Sequence, residues 1–212
     1  MAQILVIGGS KGIGLATVKA ALARGHRVRA FARSAGAIPI DHPALEEMAG
    51  DALKPIDIAR AVAGVDAVVM ALGIANPFSL QPATLFSKAT RLLIPAMRAA
   101  GVSRLICITG LGAGDSRGKG SLVYTKLFFP LVLARIYEDK DVQEQFVRES
   151  GLEWTILRPG LLTNGPATGR ARVVTDPAQW RDASISRADV AEVIVSEIEN
   201  PRYVHQAPVV IV

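Results

Sequence analysis

The chain opens on an apolar run, Ile4-Leu5-Val6-Ile7, then Gly8-Gly9-Ser10-Lys11-Gly12-Ile13-Gly14, then a helical pattern from Leu15 to Ala23. Few local patterns restrict a fold more. A buried strand runs into a glycine turn, and the turn opens a helix. Glycines there permit positive φ and let a ligand approach without meeting a Cβ. The helix start offers unpaired N–H groups and a partial positive charge, which together suit an anion. With its strand before it and its helix behind it, the turn predicts a dinucleotide-binding βα unit with the pyrophosphate seated on the glycines. Gly8, Ser10, Lys11, Gly12, Ile13 and Gly14 are the expected contacts.

The alternation continues along the chain. Arg27 to Ala32 reads as a second strand, and a short third lies near Met48, closed by Gly50-Asp51-Ala52-Leu53. Ile56 to Val62 reads as a helix, Asp66 to Leu72 as a fourth strand, and Leu85 to Ala100 as a long helix containing Pro95. Ser103 to Thr109 is a fifth strand, Val142 to Ser150 an amphipathic helix, Trp154 to Arg158 a sixth strand, Arg187 to Glu199 a helix and Val209 to Val212 a last strand. Repeated βα units require right-handed crossovers and a parallel sheet. The expected fold is α/β, a doubly wound parallel sheet of Rossmann type. Residues 1–212 form a single NAD(P)-binding domain with a small C-terminal portion on the substrate side. Half the residues are hydrophobic and only 5% aromatic, as a sheet covered on both faces needs.

Charge and composition exclude several classes. The net charge is +5, but the basic residues are scattered, with no Lys/Arg run and no interleaved aromatic stripe, so no nucleic-acid partner is expected. The three histidines, His26, His42 and His205, lack metal-ligand spacing, and no metal is expected. The single Cys107 lies in an apolar strand, where it reads as core filling and fits a reducing cytoplasm. No positively charged leader precedes the first strand and no apolar run is long enough to span a bilayer, so a cytoplasmic protein without an integral membrane span is expected.

In such sheets the ligand lies at the carboxyl ends of the strands, and the end of the second strand separates NAD from NADP. An acid there binds the ribose hydroxyls; a cation accommodates the extra phosphate. This chain offers Arg33 and Ser34, with no Asp or Glu before Asp41, and Lys11 adds a cation from the glycine turn. NADP(H) is therefore expected over NAD(H), the competing reading being that Arg33 is a solvated strand end. Arg27 and Arg29 read as surface charges.

Together these residues resemble the short-chain dehydrogenase/reductase superfamily, in particular its atypical branch, with its NADPH-dependent flavin/biliverdin-IX-beta reductases and nitrogen-metabolite-repression-regulator-like proteins. The resemblance is carried by the glycine turn, Gly50-Asp51-Ala52-Leu53, Ala71-Leu72-Gly73 and the stretch from Ser150 through Trp154 to Arg158-Pro159-Gly160. It implies that Asp51 and Ala52 sit by the adenine and that Ala71, Leu72 and Gly73 line the cofactor backbone. Thr109 and Gly110 would lie beneath the nicotinamide, with Pro159, Gly160 and Leu161 on its other side. The chain departs from the superfamily at Ile7, where Thr is usual, and in its catalytic set. Lys140 aligns with the usual lysine, but the tyrosine position falls on Ile136, with Tyr137 one residue off. The usual serine appears as Thr109 or is lost to Gly110.

In the intact set, lysine lowers the tyrosine pKa and holds the nicotinamide ribose while tyrosine supplies a proton. Residues three apart nearly share a helix face, so Tyr137 and Lys140 can still meet. Lys140 as a ribose clamp alone, or both residues as part of the charged surface around Glu138, Asp139 and Asp141, are the other readings. Lys140, Thr109 and Tyr137 are thus the expected catalytic residues. An electron-poor acceptor such as a flavin or quinone can draw its proton from water, which suits an incomplete set. The expected function is an NADPH-dependent oxidoreductase moving hydride to a small planar or carbonyl acceptor; the alternative is a redox sensor that binds NADP(H) and signals through a protein partner. Epimerase or dehydratase chemistry would need the tyrosine and a larger substrate portion. The segment from Gly110 to Tyr137, with Tyr124, Phe128 and Phe129, reads as core or homodimer packing, as a substrate lid, or as a membrane-surface contact with Lys119 and Lys126. Asn76-Pro77-Phe78 and Thr163-Asn164-Gly165 could complete a pocket, and Arg170 and Arg172 could bind an anionic group there or be solvated.

Overall fold

The computed structural model describes residues 1–74, 83–119 and 134–212. In chain order the main elements are β1 (Gln3–Ile7), α1 (Gly12–Ala23), β2 (Arg27–Ala32), β3 (Leu45–Ala49), α2 (Pro55–Val62), β4 (Ala67–Met70), α3 (Leu85–Ala99), β5 (Arg104–Ile108), α4 (Ala134–Arg148), β6 (Glu153–Pro159), β7 (Leu161–Thr163), β8 (Arg172–Val174), β9 (Ser184–Ser186), α5 (Arg187–Glu199) and β10 (Val209–Ile211). Among the described residues eight strands make one sheet, in the order β3-β2-β1-β4-β5-β6-β10-β8, while β7 and β9 pair separately. Every pairing is parallel except β10 with β8. The order from β3 to β6 is that of a doubly wound Rossmann sheet, whose crevice lies where the order reverses between β1 and β4.

Side-chain alternation along the strands decides the two layers. Ile4 and Val6 of β1 face one side with Val69, Ile106 and Leu157, where α1 and α5 cover them through Val18, Leu22, Val190 and Ile194. Leu5 and Ile7 face the other side with Val68, Met70, Leu105 and Cys107, beneath Ile58, Leu93, Met97 and Val147 of α2, α3 and α4. Cys107 fills that layer, and burial pushes its thiol up to about 12. None of the described helices is long and apolar enough to cross a membrane.

Four features differ from the sequence reading. Helix α4 begins at Ala134 rather than Val142, because its buried face carries Asp139, Gln143 and Glu144 beside Val147 and hides its period among charges. Asp139 leaves the expected charged surface altogether. It is buried and accepts hydrogen bonds from the Phe86 and Ser87 N–H groups at 2.8 and 3.3 Å, capping α3 from a neighbouring helix. Strands β7, β8 and β9 were not expected; three residues each is too short for a period to show. Arg29 is not a free surface charge either. It bonds Glu46 at 2.8 Å and the carbonyls of Ala61 and Ala63 at 2.8 and 2.7 Å. Asn76-Pro77-Phe78, Tyr124, Lys126, Phe128 and Phe129 lie outside the described residues.

Candidate active site

The glycine turn is packed on one side and open on the other. Gly8, at φ +88°, lies so close to the end of β4 that a Cβ would stand 2.6 Å from the Ala71 carbonyl oxygen. A Cβ on Gly14 would stand 2.1 Å from the Gly8 carbonyl oxygen, so the first helical turn and the strand end are in backbone contact. Gly12, at φ +58°, is different: a Cβ there would meet only Arg187 Nε, at 3.9 Å. Helix α1 starts on Lys11 with no side-chain cap and no acid in its first turn. An open glycine, uncapped N–H groups and an adjacent guanidinium together fit a pyrophosphate. Arg187 was not among the residues expected from sequence. Its side chain is held by Asn164 Oδ1 at 2.6 Å, and its place is fixed because the Ser186 hydroxyl accepts the Asp189 N–H at 2.9 Å at the start of α5. Ser186-Arg187-Ala188-Asp189 is legible as a helix start, which was the available signal.

At the adenosine end, the Ser34 hydroxyl donates to the Ser10 hydroxyl at 3.3 Å, which joins the end of β2 to the glycine turn. Lys11 and Arg33 are both exposed on this side, and neither has an ion-pair partner among the described residues. The Gly50 N–H donates to the Ala32 carbonyl, which sets Asp51 beside the same strand end. Asp51 Oδ1 accepts the Leu53 N–H at 2.9 Å, and Ala52 is buried. Ala71 continues the turn's floor, its N–H donating to the Ile7 carbonyl.

The opposite end is built by one stripe of α4, Tyr137, Lys140 and Glu144, lying over the carboxyl ends of β5 and β6. The Lys140 ammonium donates to the Thr109 carbonyl and stands 4.9 Å from the Phe86 ring centroid and 5.7 Å from that of Tyr137. Burial lowers its pKa to about 8. Tyr137, not Ile136, reaches the strand end: its hydroxyl lies so close to Gly110 that a Cβ there would be 2.4 Å away. The pair therefore meets at the end of β5 rather than lying on a charged surface. Thr109 enters differently from the expected serine substitute. Its hydroxyl is buried and donates to Glu144 Oε1 at 2.8 Å, so it faces this end through its carbonyl.

Glu144 is itself paired with Arg158 of β6, which donates from Nε at 3.0 Å and from Nη2 at 2.6 Å. Their side chains are 2% and 0% exposed. Gly114, at φ +54°, lets the loop after β5 pass over them, since a Cβ there would stand 2.5 Å from Glu144 Oε2 and 2.6 Å from Arg158 Nη2. Glu144 was missed because it sits in an acidic stretch. Pro159 and Gly160 follow Arg158 directly, with the Leu111 N–H on the Pro159 carbonyl and Gly160 pressed against the Ala183 carbonyl. Leu161 is exposed. Leu72 and Gly73 follow Ala71 at the end of β4. Among the described residues no group of His, Cys, Asp and Glu could hold a metal.

Fold and turn thus define a dinucleotide-binding Rossmann protein. Residues 8–201 match the NAD(P)H-binding family, and the chain belongs to it. It is 30% identical over 207 residues to the uncharacterized protein At2g34460, chloroplastic, of Arabidopsis thaliana, covering 92% of this chain and 71% of that one. It is 26% identical over 213 residues to an NAD(P)H azoreductase of Xenophilus azovorans, covering 97% of this chain and 66% of the relative. Among solved structures, the anaerobillin reductase ChuY of Escherichia coli O157:H7 superposes with a TM-score of 0.79 at 29% identity, over 99% of this chain and 96% of that one.

Removing Glu144 takes from the buried Arg158 guanidinium its two-point partner and leaves it only the exposed Asp115 carboxylate, at 2.5 Å. Glu144→Ala should lower unfolding free energy by about 1–3 kcal/mol in urea titration; a loss within the range of a surface substitution would show that the pair does not hold α4 in place.

Proposed function

We propose that the protein is an NADPH-dependent reductase that delivers hydride to a planar, electron-poor acceptor, with flavins and quinones the best fit. The observation that carries this reading is the Lys140 ammonium, anchored on the Thr109 carbonyl beside the Tyr137 ring at the end of β5. The residues present suit NADPH. Lys11, Arg33, Ser10 and Ser34 would hold the 2′-phosphate, with Asp51 and Ala52 at the adenine. Gly8, Gly12, Ile13 and Gly14 would receive the pyrophosphate, faced by Arg187. Ala71, Leu72 and Gly73 would line the cofactor backbone; Thr109 and Gly110 would underlie the nicotinamide, with Pro159, Gly160 and Leu161 across from them. NADPH supplies the hydride. Lys140 would then leave the Thr109 carbonyl for the nicotinamide ribose, and Tyr137, close to Gly110, would donate the proton. With the Thr109 hydroxyl committed to Glu144, orientation and a dry face carry more of the catalysis than acid strength, as flavins and quinones allow. Two relatives named as reductases support the same class of reaction.

The direct test is NADPH oxidation by the purified protein against flavins, quinones and small carbonyls. Acceptor-dependent turnover faster with NADPH than with NADH is expected; tight NADPH binding with no turnover would instead favour a sensor working through a partner. Two arginines should separate in binding titrations. Arg33→Ala should weaken NADPH about ten-fold and leave NADH unchanged, while Arg187→Ala should weaken both alike by a similar factor, each losing charge-assisted hydrogen bonds. Equal effects of Arg33→Ala on both cofactors would remove its phosphate role.

The sign of the pH effect follows from Lys140. Burial lowers its pKa from 10.5 to about 8, so it is charged below that value and neutral above it. Activity that needs the ammonium should fall as pH rises through about 8, and Lys140→Met should abolish that limb. Stability should move the other way. The unfolded chain holds this proton to higher pH, so folding gains stability from about 8 up to 10.5, a gain absent in Lys140→Met. An activity limb unchanged in the variant would exclude Lys140.

A further inference from the structure

A cavity of about 290 Å³ is lined by Arg172, Ala178, Gln179, Trp180, Arg181 and Ile211. It lies at the same edge of the sheet as the site above. Strand β10 runs parallel to β6, so Ile211 and its antiparallel partner Arg172 stand at the end where β6 delivers Pro159. Trp180 packs with Leu111, Val174, Val209 and Ile211, and the Leu111 N–H is bonded to the Pro159 carbonyl at 3.0 Å. Arg181 precedes Ala183, whose carbonyl touches Gly160, by two residues, a reach of at most about 7 Å. Leu111 and Trp180 thus link the cavity wall to the strand end that carries Pro159.

The lining has the chemistry of an anion receptor. Arg172 and Arg181 have no ion-pair partner among the described residues. Asp176 is committed to the Ala178 N–H at 2.9 Å and the Gln179 side chain at 3.0 Å, and Asp182, which follows Arg181, forms no ion pair with it. The Trp180 indole N–H is spent on the Val174 carbonyl at 3.0 Å, and the Arg158 guanidinium lies 5.4 Å from its ring centroid, so the wall is fixed. Of the two arginines expected to bind an anionic group, Arg172 lines the cavity and Arg170 does not; Arg181, not expected from sequence, lines it instead.

We propose that Arg172 and Arg181 form a subsite for a carboxylate or phosphate on a side arm of the acceptor, whose planar ring lies at Gly110 and Pro159. The proposal rests on the reductase reading and narrows its substrate class to conjugated molecules bearing an acidic arm. A guanidinium fork binds either anion in a bidentate way. Such an arm would reach sideways across Leu111 while the ring keeps its place.

FMN and riboflavin share one ring system and differ by a phosphate, which makes them the probes. Both are titrated against the full chain saturated with NADP⁺, following flavin fluorescence, and in parallel as acceptors of NADPH oxidation. FMN should bind about ten-fold more tightly than riboflavin. The double variant Arg172→Gln/Arg181→Gln should bring FMN to the riboflavin value and leave riboflavin unchanged. Equal affinity in the wild type, no FMN binding, or equal weakening of both flavins by the variant overturns the subsite. Discrimination without any NADPH oxidation would sink the reductase reading and leave the subsite standing; turnover at equal KM for both flavins would do the reverse.

Discussion

The buried pair of Glu144 and Arg158 is the constraint on which the reacting half of the molecule depends. Taking both charges out of water costs several kcal/mol per ion, and only close geometry offsets that cost. The structure supplies it: both carboxylate oxygens accept from Arg158, and Oε1 also accepts the Thr109 hydroxyl. Such a pair contributes little net stability compared with apolar packing, but it tolerates few arrangements. It fixes α4 over the ends of β5 and β6, and Lys140 lies one turn earlier on the same face. The Thr109 residue that satisfies Glu144 with its hydroxyl receives Lys140 on its carbonyl. Strand ends, helix register and ammonium position are thereby set by a single cluster.

The two ends of the site are made from different materials. At the end proposed for the dinucleotide the surface is mostly bare backbone, and the glycines keep it so: Gly8 and Gly14 because neighbouring backbone leaves no room for a Cβ, Gly12 because its face is open. At the other end, side chains from α4, β5 and β6 assemble across segments far apart in sequence. This explains how unequally the site could be read from the chain. The turn, its strand and its helix are contiguous, and the parallel sheet follows from the same alternation. Lys140 came from the family resemblance, and Tyr137 from its helical spacing to that lysine. Asp139 was read as part of a charged surface and Glu144 was not singled out, because the stretch around them looks polar and nothing local reveals the partners that bury them. Arg187 escaped for the same reason, since its neighbour Gly12 is distant in sequence. Strands β7 to β9 are too short to carry a period.

Charge is distributed along the edge in a way that gives the excess of basic residues a local purpose. Lys11 and Arg33 stand at the adenosine end, Arg187 over the glycine turn, and Arg172 and Arg181 beyond the reacting end. On the proposed reading each faces a different anionic group, two on the cofactor and one on the acceptor.

On the proposed reading α4 and the glycine turn bound one dinucleotide groove, with Arg187 at its middle and Lys140 at its end. A crystal structure of the NADP⁺ complex tests this most directly. The pyrophosphate is expected over Gly12 within hydrogen-bonding distance of Arg187, and the nicotinamide ribose in contact with Lys140. A pyrophosphate seated away from Gly12, or Lys140 still bound to the Thr109 carbonyl with no contact to the cofactor, would contradict it.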